Sequence, residues 1–125
     1  MGTFGVSIEI GDFAGSRFEQ VDAVVDSGAT YTAIPSDTLR RLGVTPQEEA
    51  EFILANGQKA LYGLAWIRVR LGSREQPTLV IFGDEGSEIL LGAFTLEGFR
   101  LGVDAVNKRL VPTPGLLVGL RRADG

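Results

Sequence analysis

Asp26 is where chemistry is easiest to place in this chain. It closes the apolar run Val24-Val25 and is followed by the small residues Ser27, Gly28, Ala29 and Thr30. A carboxylate at the end of a buried strand is held firmly, and small neighbours let another backbone come close. Asp-Ser-Gly taken alone is also an ordinary turn signature. The chain has no His and no Cys. Ser-His-Asp and Cys-His nucleophilic machinery is therefore excluded, as are disulfides and His- or Cys-ligated metal sites. Proton transfer near neutral pH falls to Asp, Glu, Lys or Tyr. Glu48, Glu49 and Glu51 read as a solvated acidic stretch with no metal role. Asp84, Glu85 and Glu88 form an acidic loop that could border a pocket favouring basic side chains. No metal and no cofactor is expected.

With 125 residues, the chain has the length of one domain. Its net charge of −4 and the absence of a basic stripe argue against nucleic acid as a partner. No continuous apolar stretch is long enough to span a membrane as a helix. The start, Met1 to Val6, lacks the basic and apolar regions of a signal peptide, so a cytoplasmic location is expected.

The elements that must hold Asp26 are mostly strands. Val6 to Ile10 alternates with period two, and Phe18 to Val25 resumes after a Gly-rich turn. Pro35 to Gly43 reads as a helix, with Ser36 as N-cap, Arg40 and Arg41 in the last turn and Gly43 as its stop. Val44 to Glu51 reads as a loop, or as a second short helix from Pro46 to Glu49. Phe52 to Leu71 reads as a long hairpin turning at Asn56-Gly57, where a type I′ turn is expected. Gly72 to Pro77 turns the chain, and Leu79 to Phe82 is a buried strand. Ile89-Leu90-Leu91-Gly92 leads into a short helix over Phe94 to Phe99, and Arg100–Asp104 with Arg109–Val111 form a last strand pair. A faint repeat of strand, small-residue loop and helix runs over Val21–Gly43 and again over Leu79–Gly98. Many short strands with one or two short helices imply an all-β barrel or sandwich.

Asp26-Ser27-Gly28-Ala29, the hydrophobic-hydrophobic-Gly motif Leu90-Leu91-Gly92 and the intervening Asn56-Gly57 hairpin occur in an order that resembles the retropepsin-like aspartic proteases. The resemblance covers about residues 5–111 and leaves a C-terminal tail over 112–125. It implies an acid-protease β barrel and a homodimer in which two copies of Asp26 share one proton, an arrangement for which this enzyme class is the standard example. Asp26 is then the catalytic residue of a peptide hydrolase that takes a peptide or protein substrate. Ser27, Gly28, Ala29 and Thr30 support its loop. Ala55, Asn56, Gly57 and Gln58 form the tip of a flap. Ile34, Phe82 and Leu90 line the substrate pocket, and Leu90, Leu91 and Gly92 pack behind the catalytic loop. Trp66 is expected in core or interface packing. The apolar tail Leu116–Leu120 is a candidate for dimer contacts.

Viral members commonly carry Asp after the motif's Ala and Arg after the second Gly. Here these positions are Thr30 and Ala93, which places the chain nearer the cellular and bacterial branch. The competing reading is a catalytically silent dimeric module for peptide binding or assembly on the same fold.

Overall fold

The computed structural model describes residues 3–114. The Leu116–Leu120 expectation lies outside the described residues. Among the described residues nine strands and two short helices follow one another. They are β1 (Phe4–Gly11), β2 (Phe18–Val25), β3 (Thr32–Pro35), α1 (Ser36–Arg41), β4 (Glu48–Ile53) and β5 (Lys59–Leu71). After these come β6 (Arg74–Gly83), β7 (Ile89–Leu91), α2 (Ala93–Gly98), β8 (Leu101–Asp104) and β9 (Arg109–Pro112).

Seven strands form one sheet in the order β1-β2-β7-β3-β6-β5-β4, and β1 also pairs with β5, from Glu9↔Arg70 to Gly11↔Arg68. That extra pairing closes six strands into a barrel and leaves β4 outside it. Closure removes the open edges that would otherwise invite pairing with other chains. β8 and β9 form a separate antiparallel pair. Period-two alternation turns Ile8, Ile10, Ala23, Val25, Ile67, Val69, Val80 and Leu91 into the barrel, where they join Ile34, Leu39, Leu96 and Phe99 in one core. Among the described residues no helix is long and apolar enough to cross a membrane.

The faint repeat is real at the level of topology. β2 runs parallel to β7, β3 runs parallel to β6, and β3 meets β7 antiparallel at Ala33↔Leu90. The unit β2-loop-β3-α1 thus interlocks with β6-loop-β7-α2.

Several local expectations need correction. The N-cap of α1 is Pro35 rather than Ser36, and no side chain caps the helix. Pro35 is still the last residue of β3, paired with Gly83, so Ser36 enters as the first helical residue. The C-terminus is as expected, with Gly43 N–H to Arg40 O and Val44 N–H to Leu39 O closing a Schellman-type end.

Glu48–Ile53 is a strand rather than a loop or helix. Glutamates obscure its alternation, because Glu49 and Glu51 face solvent while Ala50 and Phe52 turn inward. The Asn56-Gly57 turn is not type I′. Only Gly57 has positive φ, at 84°, and Gly57 N–H reaches Leu54 O at 2.9 Å. This is a three-residue connection ending in a left-handed glycine, braced by the Asn56 side chain accepting Gln58 N–H at 3.0 Å. Arg74–Pro77 belongs to β6, and the turn before it is Gly72-Ser73 alone. Pro77 is tolerated because β3 pairs with β6 only from Val80 onward, so its missing N–H leaves no ladder bond unmade. Trp66 is not a core residue: it points outward and is 40% exposed.

Candidate active site

The Asp26 loop is built by three neighbours. β2 delivers Asp26 at its end, and Asp26 N–H donates to Leu91 O at 3.0 Å, extending the parallel pairing of β2 with β7 by one bond. The loop then closes on itself. Ala29 N–H donates to Asp26 O at 3.1 Å, and Gly28 N–H donates to the Asp26 carboxylate Oδ1 at 3.1 Å. The carboxylate is thereby oriented, and its second oxygen has no hydrogen-bond partner among the described residues. None of the ion pairs among the described residues involves Asp26. Asp26 is half-buried and Ser27 and Gly28 are exposed.

From behind, the second motif grips the loop through backbone alone. Ala93 N–H donates to Ala29 O and Phe94 N–H to Thr30 O, both at 2.8 Å. These two bonds brace the loop at the positions where Thr30 and Ala93 offer no ion pair. Gly92 permits the approach: a Cβ there would lie 2.6 Å from the Tyr31 carbonyl carbon and oxygen and 2.9 Å from Ala29 O.

Beneath the motif lies a buried hydroxyl chain that sequence reading missed. Gly92 N–H donates to Thr32 Oγ1 at 3.0 Å. Thr32 Oγ1 and Thr95 Oγ1 are 2.6 Å apart, and Thr95 Oγ1 and Thr78 Oγ1 are 2.9 Å apart. All three threonines are buried. Three isolated threonines on β3, β6 and α2 carry no joint signal in the sequence; their meeting is a product of the barrel. Replacing Thr95 by Val keeps the shape and removes the central hydroxyl, leaving both neighbours short of a partner. The expected cost is about 1–3 kcal/mol, read as a lowered urea midpoint at unchanged m-value.

Alternation decides which side chains share a face with Asp26. Val25 and Leu91 point into the core, so Val24, Leu90 and Asp26 lie on the opposite face. Leu90 lines a cleft of about 320 Å³ with Ala33, Ile81, Tyr62, Gly83, Asp84, Ser87 and Glu88. The pocket expectation is corrected at two of its three residues. Ile34 is fully buried and packs in the core, and Phe82 lies mostly in the core at 8% exposure. Both sit one residue out of phase with the cleft, whose floor takes Ala33 and Ile81 in their place. Phe82 reaches only a neighbouring groove beside Tyr62 and Gly63. Of the acidic loop, Asp84 and Glu88 border the cleft, while Glu85 is paired with Arg40. Asp26 itself borders a separate cavity of about 360 Å³ with Ser27, Gly28, Val103 and Ala105.

Ala55, Asn56, Gly57 and Gln58, expected at the tip of a flap, are all exposed at the β4–β5 turn. The inner face of this hairpin carries Phe52 and Tyr62, whose ring centroids lie 6.1 Å apart. Among the described residues no group of His, Cys, Asp and Glu is arranged to hold a metal ion.

No curated protein matches the chain in sequence. Among solved structures it is similar to EIAV protease complexed with the inhibitor HBY-793, at 13% identity and a TM-score of 0.59, covering 78% of this chain and 88% of that one. It is also similar to the simian foamy virus (mac) protease in its solution structure, at 19% identity and a TM-score of 0.52, covering 75% and 94%. These likenesses establish the retropepsin-like barrel. The family model described as "gag-polyprotein putative aspartyl protease" matches residues 16–97, which take in both the Asp26 loop and Gly92. By that match and the barrel around it, the chain belongs to the retropepsin-like aspartic protease family.

Proposed function

We propose that the protein is a homodimeric aspartic endopeptidase in which two symmetry-related Asp26 carboxylates activate one water. The observation that carries this reading is the Asp26 loop itself. A half-buried carboxylate, with one oxygen hydrogen-bonded and the other without a partner among the described residues, stands on an exposed Ser27-Gly28 turn, fixed from behind by Leu91, Ala93 and Phe94. The chain carries one such loop, and hydrolysis without a covalent intermediate needs a base and an acid together. A two-fold axis beside Ser27 supplies the second carboxylate.

In the dimer, adjacent negative charges cannot both persist, so the pair holds one proton between them. The ionised member takes a proton from water as the water oxygen attacks the scissile carbonyl carbon. The protonated member donates to the carbonyl oxygen as it becomes a hydroxyl. As the tetrahedral intermediate collapses, one of its hydroxyls gives its proton to the member now ionised, the C–N bond breaks, and the amine leaves with the proton of the other member, which restores the singly protonated pair. Ser27 hydrogen-bonds across the axis, and the Gly28 carbonyl meets the substrate backbone. The β4–β5 hairpin closes as a flap and excludes water. The Ala33, Ile81 and Leu90 floor receives an apolar substrate side chain.

Dilution tests the twinned site. Below the dimer dissociation constant, peptide cleavage should fall with the square of protein concentration. Strict proportionality down to the lowest measurable concentration would show a self-sufficient monomer and end this reading. Cleavage should be best at mildly acidic pH and unchanged by EDTA.

A further inference from the structure

We infer that Tyr31 is the positioning residue of the flap, through an aromatic row that ties the hairpin to the loop bearing Asp26. The inference rests on reading the β4–β5 hairpin as a flap. Among the described residues β4 is an edge strand, hydrogen-bonded to β5 alone. Its outer face carries Glu49, Glu51 and Ile53, all exposed. The inner face of the hairpin carries Ala50, Phe52, Ala60 and Tyr62, with Phe52 opposite Ala60 and Tyr62 opposite Ala50. The two aromatics are therefore diagonal neighbours on one face, within reach of each other.

Across the gap, Phe52 meets Tyr31 edge to face, with centroids 5.8 Å apart and planes at 78°. Tyr31 in turn packs on Phe94 at 6.0 Å, and Phe94 on Trp66 at 6.3 Å. The row thus runs from the hairpin, through the chain just after the catalytic loop, to α2 and the outer face of β5.

What makes Tyr31 the fixed end is its backbone. Its carbonyl lies against Gly92 so closely that no Cβ fits between them, and the residues on either side are bound: Thr30 O accepts Phe94 N–H, and Thr32 Oγ1 accepts Gly92 N–H. The ring is presented on a mount that the second motif holds rigid. The hairpin can swing; Tyr31 cannot. Its ring contacts with Phe52 and Phe94 set where the hairpin rests relative to Asp26, and substrate entry must loosen the first without disturbing the second.

The test uses Tyr31→Ala, Tyr31→Phe and Phe52→Ala in the full chain, with amide hydrogen exchange by mass spectrometry and steady-state peptide cleavage. Two aromatic contacts are lost in Tyr31→Ala, so exchange across β4 and the first half of β5 should quicken about tenfold. Exchange in β1 and β2 should stay unchanged. KM should rise about tenfold with kcat within about threefold, because Asp26 is held by Leu91 and Gly28 rather than by the ring. Tyr31→Phe keeps both ring contacts and should restore both readouts. Phe52→Ala removes the same tie from the hairpin side and should quicken exchange alike, which covers the case of a Tyr31→Ala protein that does not fold. Unchanged hairpin exchange in Tyr31→Ala or in Phe52→Ala, or a Tyr31→Phe protein that behaves like Tyr31→Ala, overturns the inference. A wild-type protein that cleaves no peptide counts against the protease reading alone, since exchange still decides the role of Tyr31.

Discussion

Asp26→Asn should yield a folded dimer that no longer cleaves peptides. The fold should survive because the amide oxygen of the new side chain can still accept Gly28 N–H as Asp26 Oδ1 does, and because the loop's other bonds, to Leu91, Ala93 and Phe94, are made by backbone. The dimer should survive because the substitution removes the pair's one shared negative charge and adds none. Turnover should not survive. An amide neither takes a proton from water nor gives one to the carbonyl oxygen, and loss of positioned acid–base catalysis costs about a hundredfold to ten-thousandfold in kcat. Mixed dimers that pair a wild-type subunit with an Asp26→Asn subunit should be equally silent, since the mechanism needs both carboxylates. The measurements are peptide cleavage, sedimentation and thermal unfolding on the same preparations. Retained cleavage by the Asp26→Asn variant would remove Asp26 from the chemistry and leave the silent-module reading standing.

Gly92→Ala should damage both stability and activity. The conflict is one of space and not of dihedral angle, since Gly92 has φ −96° and ψ 176°, a conformation open to any residue. Its added methyl would meet the Tyr31 carbonyl at 2.6 Å and Ala29 O at 2.9 Å, all of it backbone that cannot rotate away. Either the Asp26 loop or the start of α2 must move, which strains the Ala93–Ala29 and Phe94–Thr30 hydrogen bonds and the Thr32 hydroxyl chain. Overpacking of this kind costs about 3 kcal/mol at the upper end of its usual range. A shift of the loop by even a fraction of an ångström should also lower kcat, by about a hundredfold for a displacement near 1 Å. Gly5→Ala is the natural control: its new methyl would lie 3.7 Å from Ala23 O, in ordinary contact. A Gly92→Ala protein with wild-type stability and rate would show that the second motif does not hold the loop.

The two family motifs were legible in one dimension because their parts depend on local chemistry. A carboxylate followed by small residues, and a run of leucines ending in glycine, are signatures that backbone sterics impose on any chain doing this job. The strands β1, β2, β5 and β7 were legible for a related reason: each has a run of alternating or continuous apolar residues that can be buried only as a strand. β4 was not, because it lies outside the barrel and three of its six residues are glutamate. A strand that turns only Ala50 and Phe52 inward has almost no hydrophobic period to read. β3 was missed because four residues next to a well-marked helix leave too short a pattern.

Residue order alone therefore singled out Asp26 as the candidate for the chemistry, showed that this sequence offers no His or Cys, and marked where the chain turns around the Asp26 loop. It could not settle phase or company. Whether Ile34 or Ala33 faces the cleft is a matter of one residue in a period of two, and that is decided by pairing with Leu90 across strands far apart in sequence. Thr32, Thr78 and Thr95, like Tyr31, Phe52, Phe94 and Trp66, are ordinary one by one. Only barrel closure brings them together, because contacts between distant segments are energies of the assembled core and leave no trace in any short stretch of the chain.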